Sequence, residues 1–206
     1  MKPILILAAG ASSRMGGIDK LLQEIDGVSL LVRTVRIAEA SGHPVFVAIP
    51  GPWHPRYKAL RSENVTCFDV PDASEGVGGS LRGAVKRLPP CDAFMVMLAD
   101  MPLIETEDIR RLWSDGQNHN GALIVRAATQ SGKPGHPIIF DASLRDDFEG
   151  LTGDDGAKSI VAAHSGATRL IPLAGERARY DLDTPDEWQH WKALHESKNL
   201  VDVSVK

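Results

Sequence analysis

Short apolar runs alternate along this chain with stretches whose apolar positions recur every three or four residues. Residues 3–8 form the first run and predict a strand. Residues 29–41 set Leu30, Leu31, Val32, Val35, Ile37 and Ala38 against Arg33, Arg36 and Glu39, the pattern of a helix with one buried face. Further strands are predicted at 44–49, 65–69, 93–99, 121–127 and 136–140, with short ones at 168–172 and 179–183. Further helices are predicted at 55–62, from Gly79 to about Leu88 before Pro89-Pro90, and at 105–115, 155–164 and 185–197. Strands apolar on both faces, alternating with helices, imply an α/β fold. Its expected form is three-layered, with a mainly parallel sheet and helices on both faces. Ligands of such sheets bind beyond the carboxyl ends of the strands. The loop at Gly10, the segment Gly76–Arg82 and Asp100 each follow a predicted strand, so they are expected to meet at one edge.

The chain has 206 residues, enough for a well-buried core without disulfide or structural metal. Residues 1–198 read as one domain, and the polar residues 199–206 as a frayed tail. Lys and Arg number 23 against 27 Asp and Glu, a net charge of −4 with no basic stripe, which argues against a nucleic-acid partner. An anionic ligand must then be held by local charges. The two cysteines, Cys67 and Cys91, read as free thiols of a reducing compartment. No signal peptide or membrane-length run is evident, so a cytoplasmic location away from membranes is expected.

The loop after the first strand is the most loaded segment: Leu7, Ala8, Ala9, Gly10, Ala11, Ser12, Ser13, Arg14, then Met15-Gly16-Gly17-Ile18-Asp19 and Lys20. Small residues let backbone N–H groups approach anionic oxygens, and Arg14 and Lys20 add full charges. This composition predicts a cradle for a nucleoside triphosphate. It lacks the Gly-x-Gly-x-x-Gly spacing of a dinucleotide site, because Ala11 and Ser12 follow Gly10. Asp100, at the tip of an apolar strand, suits a Mg²⁺ ligand, since that cation prefers hard oxygen donors shared with substrate phosphates. Asp183 is the expected second ligand. Were residues 180–183 extended, Asp181 would face the same side; it reads either as a ligand or, like Asp186, as a surface charge. Thr184 and Pro185 read as the N-cap and first residue of the last helix.

Three more small-residue segments carry candidate chemistry. In Gly76–Gly83, Ser80 could hydrogen-bond a base or ribose, and Arg82 could pair with a phosphate or with Glu75. In the expected turn Gly132–Pro137, His136 either touches a ligand or orders the loop. In Gly153-Asp154-Asp155-Gly156-Ala157-Lys158, Asp154 is placed to cap the following helix.

Taken in order, these motifs resemble the molybdenum cofactor cytidylyltransferase family, part of a wider nucleotidyltransferase class that includes the guanylyltransferase of the same pathway. The resemblance runs from Leu7 to about Trp188. The loop from Leu7 to Lys20 is shared across the wider class. Leu98-Ala99-Asp100-Met101-Pro102, Pro134-Gly135-His136-Pro137, Gly153–Ala157 and Asp181–Pro185 resemble the cytidylyl branch. Ala8-Ala9-Gly10 is similar to the cytidylyl loop, the guanylyl loop carrying two glycines after the alanine. Val77-Gly78-Gly79 before Ser80, Lys158 in place of arginine, and Gly17 after Gly16 depart from the cytidylyl pattern.

The resemblance implies a Rossmann-like nucleotidyltransferase fold and a Mg²⁺-dependent transfer of CMP from CTP to the terminal phosphate of a molybdopterin-type acceptor. It implies a molybdoenzyme or its chaperone as recipient of the product. Leu7 to Arg14, Lys20, Ser80 and Arg82 would bind nucleotide, with Lys20, Arg14 and Asp100 central to catalysis. Asp100, Asp183 and Asp181 would hold metal, and Gly135, His136, Pro137, Asp154 and Lys158 would line the acceptor side. The alternatives are a related nucleotidyltransferase using GTP or another phosphate-bearing acceptor, and a non-catalytic nucleotide-binding or cofactor-delivery protein.

Overall fold

The computed structural model of the chain describes residues 1–117 and 121–203, with side chains except at 72, 117 and 195–203. In chain order the elements are β1 (Ile4–Leu7), β2 (Glu24–Ile25), β3 (Val28–Ser29), α1 (Leu30–Glu39), β4 (Val45–Ile49), α2 (Pro55–Ala59), β5 (Thr66–Asp69), α3 (Val77–Arg87), β6 (Ala93–Leu98), α4 (Thr106–Gln117), β7 (Ile124–Ala128), β8 (Pro134–Asp141), α5 (Lys158–Ala163), β9 (Thr168–Pro172) and α6 (Pro185–Val203). Short 3₁₀ turns lie between them, among them Ser13–Met15 and Lys20–Leu22.

Seven strands make one sheet in the order β5-β4-β1-β6-β8-β7-β9. Neighbours β4 and β5, β1 and β4, β1 and β6, and β7 and β9 run parallel, as the apolar strands predict. Only β8 runs against its neighbours β6 and β7. Strand alternation divides the core in two. Ile4 and Ile6 face a layer containing Leu31 and Val35 of α1, Ile109 and Leu112 of α4, and Trp188 and Trp191 of α6. Leu5 faces the opposite layer, with Leu81 and Val85 of α3, Phe148 of the 3₁₀ segment Ala142–Gly150, and Ile160 of α5. The result is the expected three-layer α/β architecture. Cys67 and Cys91 are free thiols. Among the described residues no helix is long and apolar enough to cross a membrane.

Several local expectations are corrected. Residues 179–183 are not a strand, because their backbone is engaged elsewhere. Tyr180 N–H closes a turn on Glu176 O (3.0 Å), and Leu182 N–H reaches Asp100 O (3.1 Å). The glycines after Gly76 are no loop; they form the first turn of α3. Gly78 is required there, since a Cβ would lie 2.7 Å from Thr152 O, and its N–H donates to Gly153 O at 2.8 Å. The turn expected over Gly132–Pro137 ends at Lys133, and Pro134–Asp141 is strand. Helix α5 starts at Lys158, three residues later than predicted, after two glycines with positive φ, and Ala157 rather than Asp154 stands at its N-cap. The last helix passes its expected end and runs to Val203; the rest of the expected tail, 204–206, lies outside the described residues.

Candidate active site

Helix α6 begins with a reciprocal cap. Thr184 Oγ1 accepts from Glu187 N (3.3 Å), and Glu187 Oε2 accepts from the N–H groups of Asp183 (2.8 Å) and Thr184 (2.9 Å). This cap and the Leu182-to-Asp100 bond fix the segment 181–183 against the tip of β6. As a result one carboxylate oxygen each from Asp100, Asp181 and Asp183 lies within 4.8 Å of the others.

Two cations answer these carboxylates. Lys20 Nζ contacts Asp100 Oδ2 at 2.5 Å and also bonds Asp183 Oδ1. Arg14 Nη2 lies 2.6 Å from Asp183 Oδ2. Burial disfavours the Lys20 ammonium, but Asp100 and Asp183 outweigh it and raise its pKa. Burial likewise opposes ionisation of Asp183, yet Lys20 and Arg14 hold it below the usual carboxylate range. Among the described residues Asp181 has no such cation beside it, and burial together with Asp183 and Asp100 pushes it up to about 6. Asp100 Oδ1 is buried with no hydrogen-bond partner among the described residues. A buried carboxylate oxygen left unpaired is costly, and this one sits in an all-oxygen donor set that suits a hard divalent cation.

The cluster forms one wall of a cleft of about 740 Å³, lined also by residues 7–14, 73–77, Ser80, Leu98, Ala99 and Asp154. Among the described residues, no protein acceptor takes the backbone N–H groups of Ala9, Gly10, Ala11 or Ser12. The loop is pegged by the buried side chains of Met15 and Leu21, and it turns through Ser12, Gly16 and Gly17, all with positive φ.

Arg56 of α2, which the sequence does not single out, holds the loop from behind. Its side chain is 2 % exposed. Nη1 donates to Ala8 O (2.7 Å) and Gly10 O (2.8 Å), and Nη2 to Ser12 Oγ (3.1 Å). Nε and Nη2 together clamp the Asp19 carboxylate at 2.8 and 2.7 Å. Asp19 in turn caps the 3₁₀ turn that starts at Lys20, accepting from Leu21 N at 3.0 Å. One guanidinium thus turns two loop carbonyls away from the cleft and steadies the residue beside Lys20. Nothing in the local pattern marks it; its role depends on a fork reaching back across 46 residues to Gly10.

The remaining expected residues divide. Ser80 lines the cleft, its hydroxyl donating to Gly76 O (3.2 Å). Arg82 lies off the cleft lining and bonds Leu151 O and Glu75, both at 2.8 Å. Asp154 reaches the cleft because its loop docks on Gly76 and Gly78. Lys158 is exposed at the start of α5 and does not line the cleft. Gly135, His136 and Pro137 sit on β8, also outside the lining. Gly135 packs where a Cβ would strike Ala178 O, and His136 N–H donates to that carbonyl at 2.8 Å. The imidazole is half-buried. Burial, then the charge of Arg126, lowers its pKa to about 4.

The family described as MobA-like NTP transferase domain matches residues 4–168. A probable molybdenum cofactor guanylyltransferase of Synechococcus elongatus is 40% identical over 100 residues, 48% of this chain and 50% of that protein. The match thus spans about half the length of that relative. The molybdenum cofactor guanylyltransferase of Ralstonia nicotianae is 30% identical over 166 residues, 75% of this chain and 78% of that one. Among solved structures, CMP:2-keto-3-deoxy-manno-octonic acid synthetase complexed with CTP superposes with a TM-score of 0.76 at 15% identity, covering 96% of this chain and 99% of that one, a likeness of fold.

Two predictions come from these contacts. Arg56→Lys keeps the charge and loses the fork, so it should weaken binding of GTP or CTP about tenfold while leaving the matching monophosphate within about twofold, by calorimetry. Equal losses for both would mean that Arg56 supports the fold in general rather than the loop. His136 takes a proton in the unfolded chain near its ordinary 6.5 but in the folded chain only near 4. Between those values the unfolded chain binds more protons, so stability falls as pH drops through the window. His136→Gln should remove acid sensitivity of about 3 kcal/mol between pH 7 and 4, read as the difference between the two denaturation curves. Parallel curves for the two proteins would contradict the neutral imidazole.

Proposed function

The chain belongs to the MobA-like NTP transferase family, and from that premise we propose that it transfers a nucleoside monophosphate from a nucleoside triphosphate to the terminal phosphate of a molybdopterin-type acceptor. Pyrophosphate is released. The observation that carries this reading is the meeting, at one sheet edge, of a loop with unengaged N–H groups, two cations and three carboxylates. In this reading residues 1–198 act as one domain, and the product passes to a molybdoenzyme or its chaperone.

An oxygen of the acceptor phosphate attacks the α-phosphorus. The bond from the α-phosphorus to the bridging oxygen of the β-phosphate breaks, and pyrophosphate leaves with that electron pair. The attacking oxygen is already ionised at neutral pH, so no strong general base is needed. The barrier is mostly the approach of anion to anion, which positioning and fixed positive charge lower. Backbone N–H groups from Ala9 to Ser13 hold the β- and γ-phosphates. Arg14 offsets charge on the departing pyrophosphate, and Lys20 offsets the extra charge at the α-phosphate. Asp100, Asp183 and Asp181 are the residues that would hold Mg²⁺, which when bound neutralises triphosphate charge. The orphaned Asp100 Oδ1 supports that assignment.

Two observations bear on the base. The relatives named as guanylyltransferases favour GTP. Ala9 favours CTP: it lines the cleft where the resembling guanylyl loop carries glycine, and its methyl leaves less room for a purine. Discrimination by one methyl amounts to only ~1–3 kcal/mol.

A panel of four nucleoside triphosphates, each with and without molybdopterin, tests the reading by pyrophosphate release. Release is expected with GTP or CTP and only when the acceptor is present; silence with every nucleotide would leave a binding or delivery protein. Asp100→Asn should fold and lose at least about two decades of rate. Near-normal turnover by that variant would remove the carboxylate from the mechanism.

A further inference from the structure

Beyond the acidic cluster, the same sheet edge carries two arginines that have no carboxylate partner among the described residues. Arg126 lies on β7, opposite Ile138 of β8. Ile124, Ile138 and Phe140 belong to the core layer of Ala9 and Leu81, so strand alternation puts Arg126 and His136 on that face, the one covered by α3. The antiparallel register pairs Val96 of β6 with Ile138, and two residues further on it brings His136 level with Leu98, just short of Asp100. The candidate anion-binding groups therefore lie beside the nucleotide cleft.

Their contacts leave them open to a ligand. Arg126 Nε donates to Gly135 O (2.8 Å), and Arg179 Nη1 donates to Pro134 O (2.9 Å), two neighbouring carbonyls of one strand. Among the described residues neither guanidinium has an ion-pair partner, and both terminal amino groups of Arg126 donate to nothing. Arg126 is half-buried. Burial, and then the charge of Arg179, lower its pKa. His136 beside it is neutral at pH 7 and brings no opposing charge. Both guanidiniums are anchored at one end of β8, and the charge of Arg179 is felt at Arg126; with no counter-charge this is unfavourable in the free protein, and an anion bound by both relieves the repulsion. Carbonyls preset the forks, as suits bidentate recognition of phosphate.

One chain segment ties this pair to the acids. Ala178 O takes the N–H of His136, and Leu182 N–H bonds Asp100 O, so residues 178–182 stretch from β8 to the tip of β6. Arg179 sits near one end of that run, and Asp181 and Asp183 at the other.

We infer that Arg126 and Arg179 form the subsite for the acceptor's phosphate monoester, beside His136 on the same face of the sheet. The inference rests on the proposed nucleotidyl transfer for its substrate class. Two anions would then meet from opposite sides of the acidic cluster, the triphosphate from the Gly10 loop and the acceptor phosphate from β7 and β8.

The test uses Arg126→Gln, Arg179→Gln and the corresponding lysine variants of the full chain. With saturating nucleotide, each glutamine variant should raise the acceptor KM by about tenfold or more while the nucleotide KM stays within about twofold. The lysine variants should recover part of the loss. Melting temperatures of the glutamine variants should not fall, since a repulsion is removed; a purely structural arginine would lower them. In parallel, inorganic phosphate is titrated into the protein without nucleotide, and the Arg126 Nε–H resonance, identified by its absence in Arg126→Gln, is followed by NMR. Movement of that resonance supports the subsite. If wild-type protein releases pyrophosphate but the glutamine variants keep their acceptor KM, the subsite is overturned and the proposed function stands. If no acceptor supports pyrophosphate release, the proposed function fails, and the phosphate titration alone decides: a shifting resonance upholds an anion site, and a stationary one refutes it.

Discussion

Three carboxylates whose oxygens approach within 4.8 Å cannot all be ionised without cations among them. That constraint organises the functional edge of this molecule. Lys20 and Arg14 satisfy two of the negative charges, and Asp181, the one left over, takes up its proton at the highest pH of the set for which a shift is seen. The cations come from the loop after β1, the carboxylates from the end of β6 and the lead-in to α6. Charge balance at the site thus joins segments more than 150 residues apart, as the Lys20–Asp183 contact shows.

The supports behind this balance are of two kinds. Hydrophobic pegs, Met15 and Leu21, fix where the loop can lie. Directional bonds fix which way its backbone points: the Arg56 fork holds carbonyls back, and the cap at Thr184 and Glu187 with the Leu182-to-Asp100 bond sets the acidic segment. A loop whose carbonyls are already engaged presents its N–H groups at little further cost in order, the condition for binding a polyanion. The glycines at 76, 78 and 135 act similarly at a distance, since each lets one backbone approach another where a methyl would collide.

How much of this is legible in the sequence depends on whether the cause is local. The strand and helix alternation is local, and β1, β4, β6 and β9 fall close to where apolar runs put them. The direction of β8 is not, because a strand buried on both faces reads the same either way. Residues 180–183 alternate Tyr, Asp, Leu, Asp and so imitate a strand, whereas their backbone is committed to a turn on Glu176, one tertiary bond to Asp100 O and the cap at Glu187. The Asp26-Gly27 turn of the β2–β3 hairpin, with both residues at positive φ, carries a clear signal, but its strands are two residues each and too short to show a period. At the site, the loop from Leu7 to Lys20 and the acids at 100, 181 and 183 announce their chemistry by residue type. Arg56, Arg126 and Arg179 do not, because an arginine's role depends on what lies at the far end of its side chain.

In the proposed reading the Gly10 loop and the acids at 100, 181 and 183 make a single cation-dependent site. Substoichiometric Mn²⁺ added to isotope-labelled protein, with amide signals followed by NMR, tests it most directly. Amides of residues 9–14, 20, 100 and 181–183 should broaden first and together, with those of 76–80 following as the distance grows. Early broadening at unrelated surface carboxylates, with residues 100 and 181–183 left sharp, would contradict it.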